Sequence, residues 1–189
     1  GIELPEGAPD DPPDVQSVHV LGRTKDEYFL KDLAENGVEP YEAAIALVNK
    51  LREQEIKTAV VSSSNNCAAV LEAAAIAQLF DARVDGKDVT RLGFSGKPAP
   101  DAFLEAARRV GADPSRAVVV EDAIVGVEAG RAGRFGCVIG VDRTGHGPAL
   151  RDGGADVVVT DMAQVGVAVE PPSTWSLVFE GFDPAQEGV

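Results

Sequence analysis

Cysteine, positive charge and long apolar runs are all scarce in this sequence, and each scarcity excludes a class of protein. The two cysteines, Cys67 and Cys137, lie far apart without the spacing of a metal site, so we expect buried free thiols in a reducing cytoplasm. No apolar run reaches membrane-spanning length and no signal peptide is visible, which predicts a cytoplasmic protein without a membrane partner. Acidic residues outnumber basic ones by 31 to 17, and this argues against nucleic-acid binding, which needs a basic surface.

The remaining composition is that of a globular α/β domain. Hydrophobic residues make up 44% of the 189 positions, enough for a core in one domain with a small second lobe. From Tyr41 onward, short apolar runs alternate with helical patterns, and the runs are continuously apolar, which is typical of a parallel sheet covered on both faces. The predicted strands are Thr58–Ser62, Ala82–Val84, Ala117–Glu121, Cys137–Val141 and Asp156–Thr160. The predicted helices include Lys25–Asn36, Ala44–Glu53, Cys67–Ala77, Pro100–Val110 and Ala123–Ala132.

Four of the predicted strands end in polar residues, namely Ser62, Glu121, Asp142 and Thr160. Ligands bind beyond the carboxyl ends of the strands in such sheets. The hydroxyls and amides of Ser62, Ser63, Ser64 and Asn66, at the start of a helix, suit a phosphate, although an ordinary helix cap has the same composition.

Two further groups have a chemical and a plain structural interpretation. Lys97 lies in a loop stiffened by two prolines and can neutralise a phosphate oxygen, or it is a solvated surface lysine. Glu121 and Asp122 offer hard oxygen ligands for Mg²⁺; alternatively, Asp122 caps the next helix and Glu121 points to solvent.

The order of these three segments resembles the haloacid dehalogenase superfamily, and within it the β-phosphoglucomutase-like branch. The segment from Thr58 to Asn66 is similar to the family's second motif, Gly96 to Phe103 to its third, and Val118 to Gly130 to its fourth. The resemblance implies a Rossmann-like parallel sheet with a helical cap. It also implies phosphoryl transfer on a small sugar phosphate, by a mutase or a phosphatase, with Mg²⁺ as cofactor.

The resemblance assigns roles to individual residues. Ser62 and Lys97 would bind the transferring phosphoryl group, and Glu121 and Asp122 would hold Mg²⁺. On the substrate side, Ser64 and Asn66 match positions that help to hold the substrate phosphate, and Lys25 would reach into the site from the cap. Residues 1–40 would be the end of the cap and its hinge, 41–166 the α/β core, and 167–189 a linker and the start of a following domain.

One element of the family pattern is missing from the sequence. No Asp-x-Asp-Gly motif, whose first aspartate is the nucleophile, precedes the second motif; Asp85-Gly86 follows it. The strand that carries this motif is normally the middle of the sheet, so we expect two strand edges without partners. We expect the missing segment to lie upstream of Gly1; the alternative is a degenerate, non-catalytic domain.

The tail gives a second, shorter resemblance. The stretch from Trp175 to Pro184 is similar to the start of glycoside phosphorylases and hydrolases that act on α-linked glucose disaccharides, which predicts a fusion to such a domain. An aromatic tail that packs on the same domain is the alternative. An unrelated nucleotide-binding sheet is disfavoured, because neither a Gly-x-Gly-x-x-Gly turn nor a Walker loop is present.

Overall fold

The computed structural model describes residues 3–170 and 174–179, and these fall into two compact units. One unit comprises the residues up to Glu39 together with Asn66–Ala77, and the other comprises Pro40–Asn65 and the residues from Gln78 onward. The first unit thus includes a helix that the sequence analysis placed in the core. Its role as the remnant of a cap stays a prediction.

The second unit has the α/β order that the sequence predicts. The helices of the described residues are α1 (Val18–Asn36), α2 (Glu42–Glu53), α3 (Cys67–Ala73), α4 (Gly86–Leu92), α5 (Asp101–Val110), α6 (Ile124–Ala132) and α7 (Gly147–Asp152). The strands are β1 (Ala59–Val61), β2 (Ala82–Val84), β3 (Val118–Glu121), β4 (Cys137–Val141), β5 (Val157–Val159), β6 (Val165–Glu170) and β7 (Thr174–Phe179). None of these helices is long and apolar enough to span a bilayer.

Helix α1 begins at Val18, well before the predicted start at Lys25. The reason is its cap: Ser17 is fully buried, its side chain accepts a hydrogen bond from the Val20 amide at 3.3 Å, and it donates one to Asp11 at 3.3 Å. Arg23 donates to backbone carbonyls of the preceding segment. The stretch predicted as a plain loop therefore folds back to close the start of the helix.

The parallel strands form two separate sheets rather than one. Strand β1 pairs with β2, and β4 lies between β3 and β5, all in parallel register. This confirms the parallel α/β prediction, while β1 and β3 each lie at the end of their sheet. Val120, in the middle of β3, is 45% exposed, although the continuously apolar run predicts a strand buried on both faces.

The core lies around β4. Its buried residues on one side form a cluster with Leu47 of α2, and this cluster consists of Leu47, Ile139, Val141, Val157, Val159, Met162 and Val165. A second cluster joins α5, α6 and α7 to β3 and β4 through Phe103, Val119, Val127, Ala129, Val138 and Leu150. The two clusters fix the carboxyl ends of β3, β4 and β5 at one edge of the sheet.

Residues after the core form a hairpin that the sequence analysis did not predict. Strands β6 and β7 pair antiparallel, from Val165 opposite Phe179 to Glu170 opposite Thr174. The linker and the following domain, predicted for residues 167–189, fall partly on this hairpin, and residues 180–189 lie outside the described residues. Within the described residues neither cysteine forms a disulfide, as predicted: Cys67 is buried and Cys137 is partly buried, and burial raises the pKa of the Cys137 thiol.

Candidate functional site

A buried ion pair marks the carboxyl end of β3. The ammonium group of Lys97, in the loop before α5, contacts Oε1 of Glu121, the last residue of β3. The two side chains are only 14% and 10% exposed, and the ammonium also lies 4.9 Å from the centre of the Phe103 ring. Lys97 is therefore not the solvated surface lysine of the alternative interpretation.

The Glu121 carboxylate is held on both oxygens. Its Oε2 atom accepts hydrogen bonds from the backbone amides of Asp122 and Ala123, each at 3.1 Å, while Oε1 contacts Lys97. The alternative in which Glu121 points to solvent and Asp122 caps the helix is wrong, because Ala123 is the N-cap residue of α6 and has no side-chain cap. Burial lowers the pKa of Lys97, and the negative charge of Asp122 opposes this shift.

Asp122 is more accessible than its neighbour. Its side chain is 57% exposed, and one carboxylate oxygen lies 3.4 Å from Nε of Arg143. The Arg143 guanidinium in turn stacks on the Tyr41 ring, 3.7 Å from the ring centre. Sequence analysis missed both residues; the signal for Arg143 was a basic residue directly after a strand that ends in Asp142.

The carboxylates of Glu121 and Asp122 suit a magnesium ion in number and type. Mg²⁺ is usually held by one or two carboxylates, with waters and phosphate oxygens as the other ligands. Within the described ranges there is no group of three or more His, Cys, Asp or Glu residues that could hold a metal, so this pair remains the candidate that the sequence predicts. The exposure of Asp122 leaves its carboxylate accessible to a cation.

The loop after β1 carries the predicted phosphate-binding hydroxyls. Ser62 is partly buried and its Oγ accepts a hydrogen bond from the Ser64 amide at 3.2 Å, whereas Ser63 and Ser64 are exposed. The loop rests on the junction of β2 and α4, because the Ser62 amide donates to Val84 and the Gly86 amide donates to Ser64, at 3.0 and 3.2 Å.

Asp85 fixes that junction, and sequence analysis missed its role together with helix α4. The Asp85 carboxylate is 3% exposed, caps α4 by accepting from the amides of Lys87 and Asp88, and also accepts from Nε of Arg83. A Cβ atom on Gly86 would lie 2.6 Å from the carbonyl oxygen of Ser63. The signal was present in the sequence as an aspartate and glycine pair directly before a polar helix.

The elements that carry Ser62, Lys97 and Glu121 pack around the same apolar side chains. Val61, the residue before Ser62, packs against the cluster that contains Phe103 and Val119. Phe103 lies under Lys97, and Val119 precedes Glu121 on β3. The elements that carry Ser62, Lys97 and Glu121 thus share one apolar cluster within the second unit.

Two predicted residues meet in the first unit. The Asn66 side chain donates to Asp26 at 3.2 Å, and the Lys25 ammonium lies 2.8 Å from the same carboxylate oxygen. Asp26, which sequence analysis did not single out, has its pKa lowered mainly by the hydrogen bond from Lys25. Lys25 itself is 71% exposed.

The other two polar residues at strand ends, Asp142 and Thr160, form hydrogen bonds with the residues that directly follow them in the chain. Asp142 accepts hydrogen bonds from the amides of Thr144, Gly145, His146 and Gly147, and these bonds lower the pKa of its carboxyl group. Thr160 donates to the side chain of Gln164 through its amide and its hydroxyl. Both line a cleft of 610 Å³ whose wall also includes Tyr41 and Arg143.

Comparisons with known proteins agree on one family. Residues 8–134 match the model of the haloacid dehalogenase-like hydrolases. The chain is 41% identical over 167 residues to a β-phosphoglucomutase of Mycobacterium bovis, a match that covers 87% of this chain and 64% of that protein. It is 36% identical over 167 residues to an uncharacterized glycosyl hydrolase of Mycobacterium tuberculosis, covering 88% of this chain and 12% of that protein.

A solved structure supports the same fold. The crystal structure of a Thermotoga maritima protein that has been assigned as a β-phosphoglucomutase superposes on this chain with a TM-score of 0.66 at 22% sequence identity. The superposition covers 80% of this chain and 69% of that one. The chain thus spans less than two thirds of the length of the mycobacterial β-phosphoglucomutase that it matches. On its sequence match and its fold, the chain belongs to the haloacid dehalogenase-like hydrolase family.

Proposed function

We propose that the protein takes part in Mg²⁺-dependent phosphoryl transfer on a small sugar phosphate, as a phosphomutase or a phosphatase. The observation that carries the proposal is the buried Lys97–Glu121 pair beside the accessible carboxylate of Asp122. A cation held out of water beside two carboxylates suits a phosphoryl group bound together with a metal ion, and Val61, the residue before Ser62, packs on the same apolar cluster as Phe103.

Lys97 and Ser62 have distinct tasks in this proposal. Lys97 neutralises the charge that develops on the oxygens of the transferring phosphoryl group, because its ammonium is buried and fixed by Glu121. Ser62 donates its hydroxyl hydrogen to a phosphoryl oxygen, since its Oγ already accepts from Ser64 and keeps its own hydrogen for the substrate. Ser63 and Ser64 supply further hydroxyls at the exposed face of this loop.

Glu121 and Asp122 would hold the magnesium ion. When bound, Mg²⁺ supplies positive charge that offsets the charge of the phosphoryl oxygens. Asp122 keeps its carboxylate available at the surface, and Arg143 lies close enough to limit its orientation. Glu121 keeps Lys97 charged and in place at the same time.

The nucleophile in this proposal is an aspartate in a strand upstream of Gly1. Its carboxylate oxygen attacks phosphorus, the bond from phosphorus to the sugar oxygen breaks, and water or a second sugar hydroxyl later takes the phosphoryl group from the aspartate. The separate sheets and the exposure of Val120 support a strand inserted between β1 and β3.

The sugar is expected to be a glucose phosphate, because the mycobacterial relative is named a β-phosphoglucomutase. Lys25 and Asn66, which meet at Asp26, are the proposed contacts to the substrate from the first unit. A cytoplasmic location, where sugar phosphates are metabolised, completes the proposal and fits the two free cysteines.

The test compares this chain with a version extended upstream by the residues that precede it in the natural protein. Both are assayed with Mg²⁺ for phosphate release and for glucose 6-phosphate formed from β-glucose 1-phosphate. We expect activity in the extended version only, with a loss of about 10²–10³-fold in Lys97→Ala and Asp122→Ala. A folded extended version that neither turns over either substrate nor binds Mg²⁺ would contradict the proposal.

A second candidate is a non-catalytic domain within a larger carbohydrate-active enzyme. It is favoured by the match to a segment that makes up 12% of a mycobacterial glycosyl hydrolase, and by the resemblance of the tail to glycoside phosphorylases. In such a fusion the domain would bind phosphate or a partner without carrying out the transfer. Sequencing upstream discriminates the candidates: a strand that ends in Asp-x-Asp favours the enzyme.

A further inference from the structure

The Glu121 carboxylate packs against helix α6 at Gly126, where the absence of a side chain leaves room for it, and we call this contact the Glu121 seat. Gly126, in the first turn of α6, is buried. A Cβ atom built on Gly126 would overlap the carboxylate carbon of Glu121 and would lie 2.6 Å from its Oε2 atom. The buried surface of Gly126 is thus covered by the Glu121 carboxylate, which lies directly on the helix backbone.

This seat also explains how α6 begins without a side-chain cap. Ala123, the N-cap residue, has no side chain able to accept a hydrogen bond, and Oε2 of Glu121 instead accepts from the amides of Asp122 and Ala123. The carboxylate therefore lies at the positive end of the helix, where a negative charge is stabilised. Its other oxygen faces Lys97.

We propose that Gly126 is a positioning residue: by leaving room for the Glu121 carboxylate, it fixes Lys97 at the point where the phosphoryl group binds. The inference rests on the proposed function for the role of Lys97. A methyl group at position 126 would push the carboxylate off the two amides and off Lys97, because the carboxylate is the end of a flexible side chain and moves more readily than the helix backbone.

The first test is a double-mutant cycle in unfolding with Gly126→Ala, Glu121→Ala and the double variant. Alanine is a better helix former than glycine, so Gly126→Ala would raise the melting temperature if nothing lay over it. We expect it to lower the melting temperature with Glu121 present and to raise it in the Glu121→Ala background. Should Gly126→Ala give the same change in both backgrounds, the Glu121 seat is disproved.

Gly130→Ala is the matched control on the same helix. Its Cβ atom would lie 3.1 Å from Val138 and 3.2 Å from Val119, and not against Glu121. Its effect on the melting temperature should therefore be the same with and without Glu121. The double variant Glu121→Ala/Gly126→Ala keeps the test valid even if Gly126→Ala alone does not fold.

The second test measures the affinity for inorganic phosphate in the presence of Mg²⁺ by calorimetry on the extended protein. We expect Gly126→Ala to bind phosphate at least tenfold more weakly and Gly130→Ala to bind it as the parent does. Normal phosphate binding by Gly126→Ala would overturn the positioning role. If the parent itself binds no phosphate, the proposed function fails, and so does the role of Gly126 in positioning Lys97, while the unfolding cycle still decides whether the seat exists.

Discussion

Strands β3 and β4 are neighbours with similar sequences, yet they have different surroundings. Each is a run of apolar residues that ends next to an acid, Glu121 in β3 and Asp142 after β4. Strand β4 has a parallel partner on either side and is buried from Val138 to Val141, whereas β3 has one partner and exposes Val120. Position in the sheet, which the runs themselves do not encode, decides the burial.

The two acids differ as much as the strands. The Asp142 carboxylate accepts hydrogen bonds from four backbone amides of the turn that follows it, so it stabilises the conformation of that turn. Glu121 is satisfied by a buried lysine and two amides, and an accessible carboxylate lies beside it. Of these two acids, only Glu121 has a partner that is itself a charged side chain brought from another loop, and only Glu121 belongs to the candidate site.

The largest expected effect comes from removing the charge at the end of β3. Glu121→Ala leaves the Lys97 ammonium buried without its carboxylate, and we expect a loss of about 3–5 kcal/mol in the free energy of unfolding, measured by urea denaturation. The double variant Glu121→Leu/Lys97→Met should recover most of this loss. A loss below about 1 kcal/mol would indicate that Lys97 is solvated.

The matched substitutions Val138→Ala and Val120→Ala test the burial difference directly. Val138 is 0% exposed and Val120 is 45% exposed, so the same loss of two methyl groups should cost roughly 2–3 kcal/mol in β4 and below about 0.5 kcal/mol in β3. Chemical denaturation of both variants measures this. Equal costs would mean that Val120 is covered in solution.

At the end of β4, Asp142→Ala should have a smaller effect than the loss of Glu121. We expect the melting temperature to fall by less than it does in Glu121→Ala, because the amides of Thr144, Gly145 and His146 lie in an exposed turn where water can replace the carboxylate. Phosphate affinity should stay unchanged in a calorimetric titration of the extended protein. Weaker phosphate binding would place Asp142 in the site after all.

The smallest effect is on the pH dependence of stability. Hydrogen bonds from the turn hold the pKa of Asp142 below its usual value, so its contribution is fully present above the unfolded pKa, about 4, and is lost as the pH falls through the folded pKa. In Asp142→Asn the melting temperature should therefore fall less steeply than in the parent protein as the pH is lowered below about 5. An unchanged slope would show that Asp142 titrates normally.

Much of the fold was predictable because local patterns carry it. Strand β4 has the predicted bounds Cys137–Val141, and α5 and α6 begin one residue after their predicted starts at Pro100 and Ala123. Helix α4 was missed because it is short and polar and depends on the buried cap of Asp85. The early start of α1 was missed because it depends on Ser17 and Asp11, which meet only after the preceding segment folds back.

The candidate site was predictable in its residue types and order but not in its contacts. The order of hydroxyls, lysine and acids gave Ser62, Lys97, Glu121 and Asp122 from the sequence. No spacing rule could show that Glu121 pairs with Lys97, that Arg143 approaches Asp122 or that Gly126 lies under a carboxylate, since these residues come from different loops or turns. Whether Glu121 and Asp122 hold Mg²⁺ stays a prediction.

Local patterns determined the predicted strands from Thr58 to Thr160, most of the helices and the residue types that gather at the strand ends, because hydrophobic period and motif order are local properties of the chain. Tertiary structure alone decided that, among the described residues, β3 pairs with one strand while β4 pairs with two, and that Lys97 rather than solvent meets Glu121. Burial and charge pairing depend on which distant segments pack together, and that is settled only when the apolar clusters around Phe103 and Ile139 form.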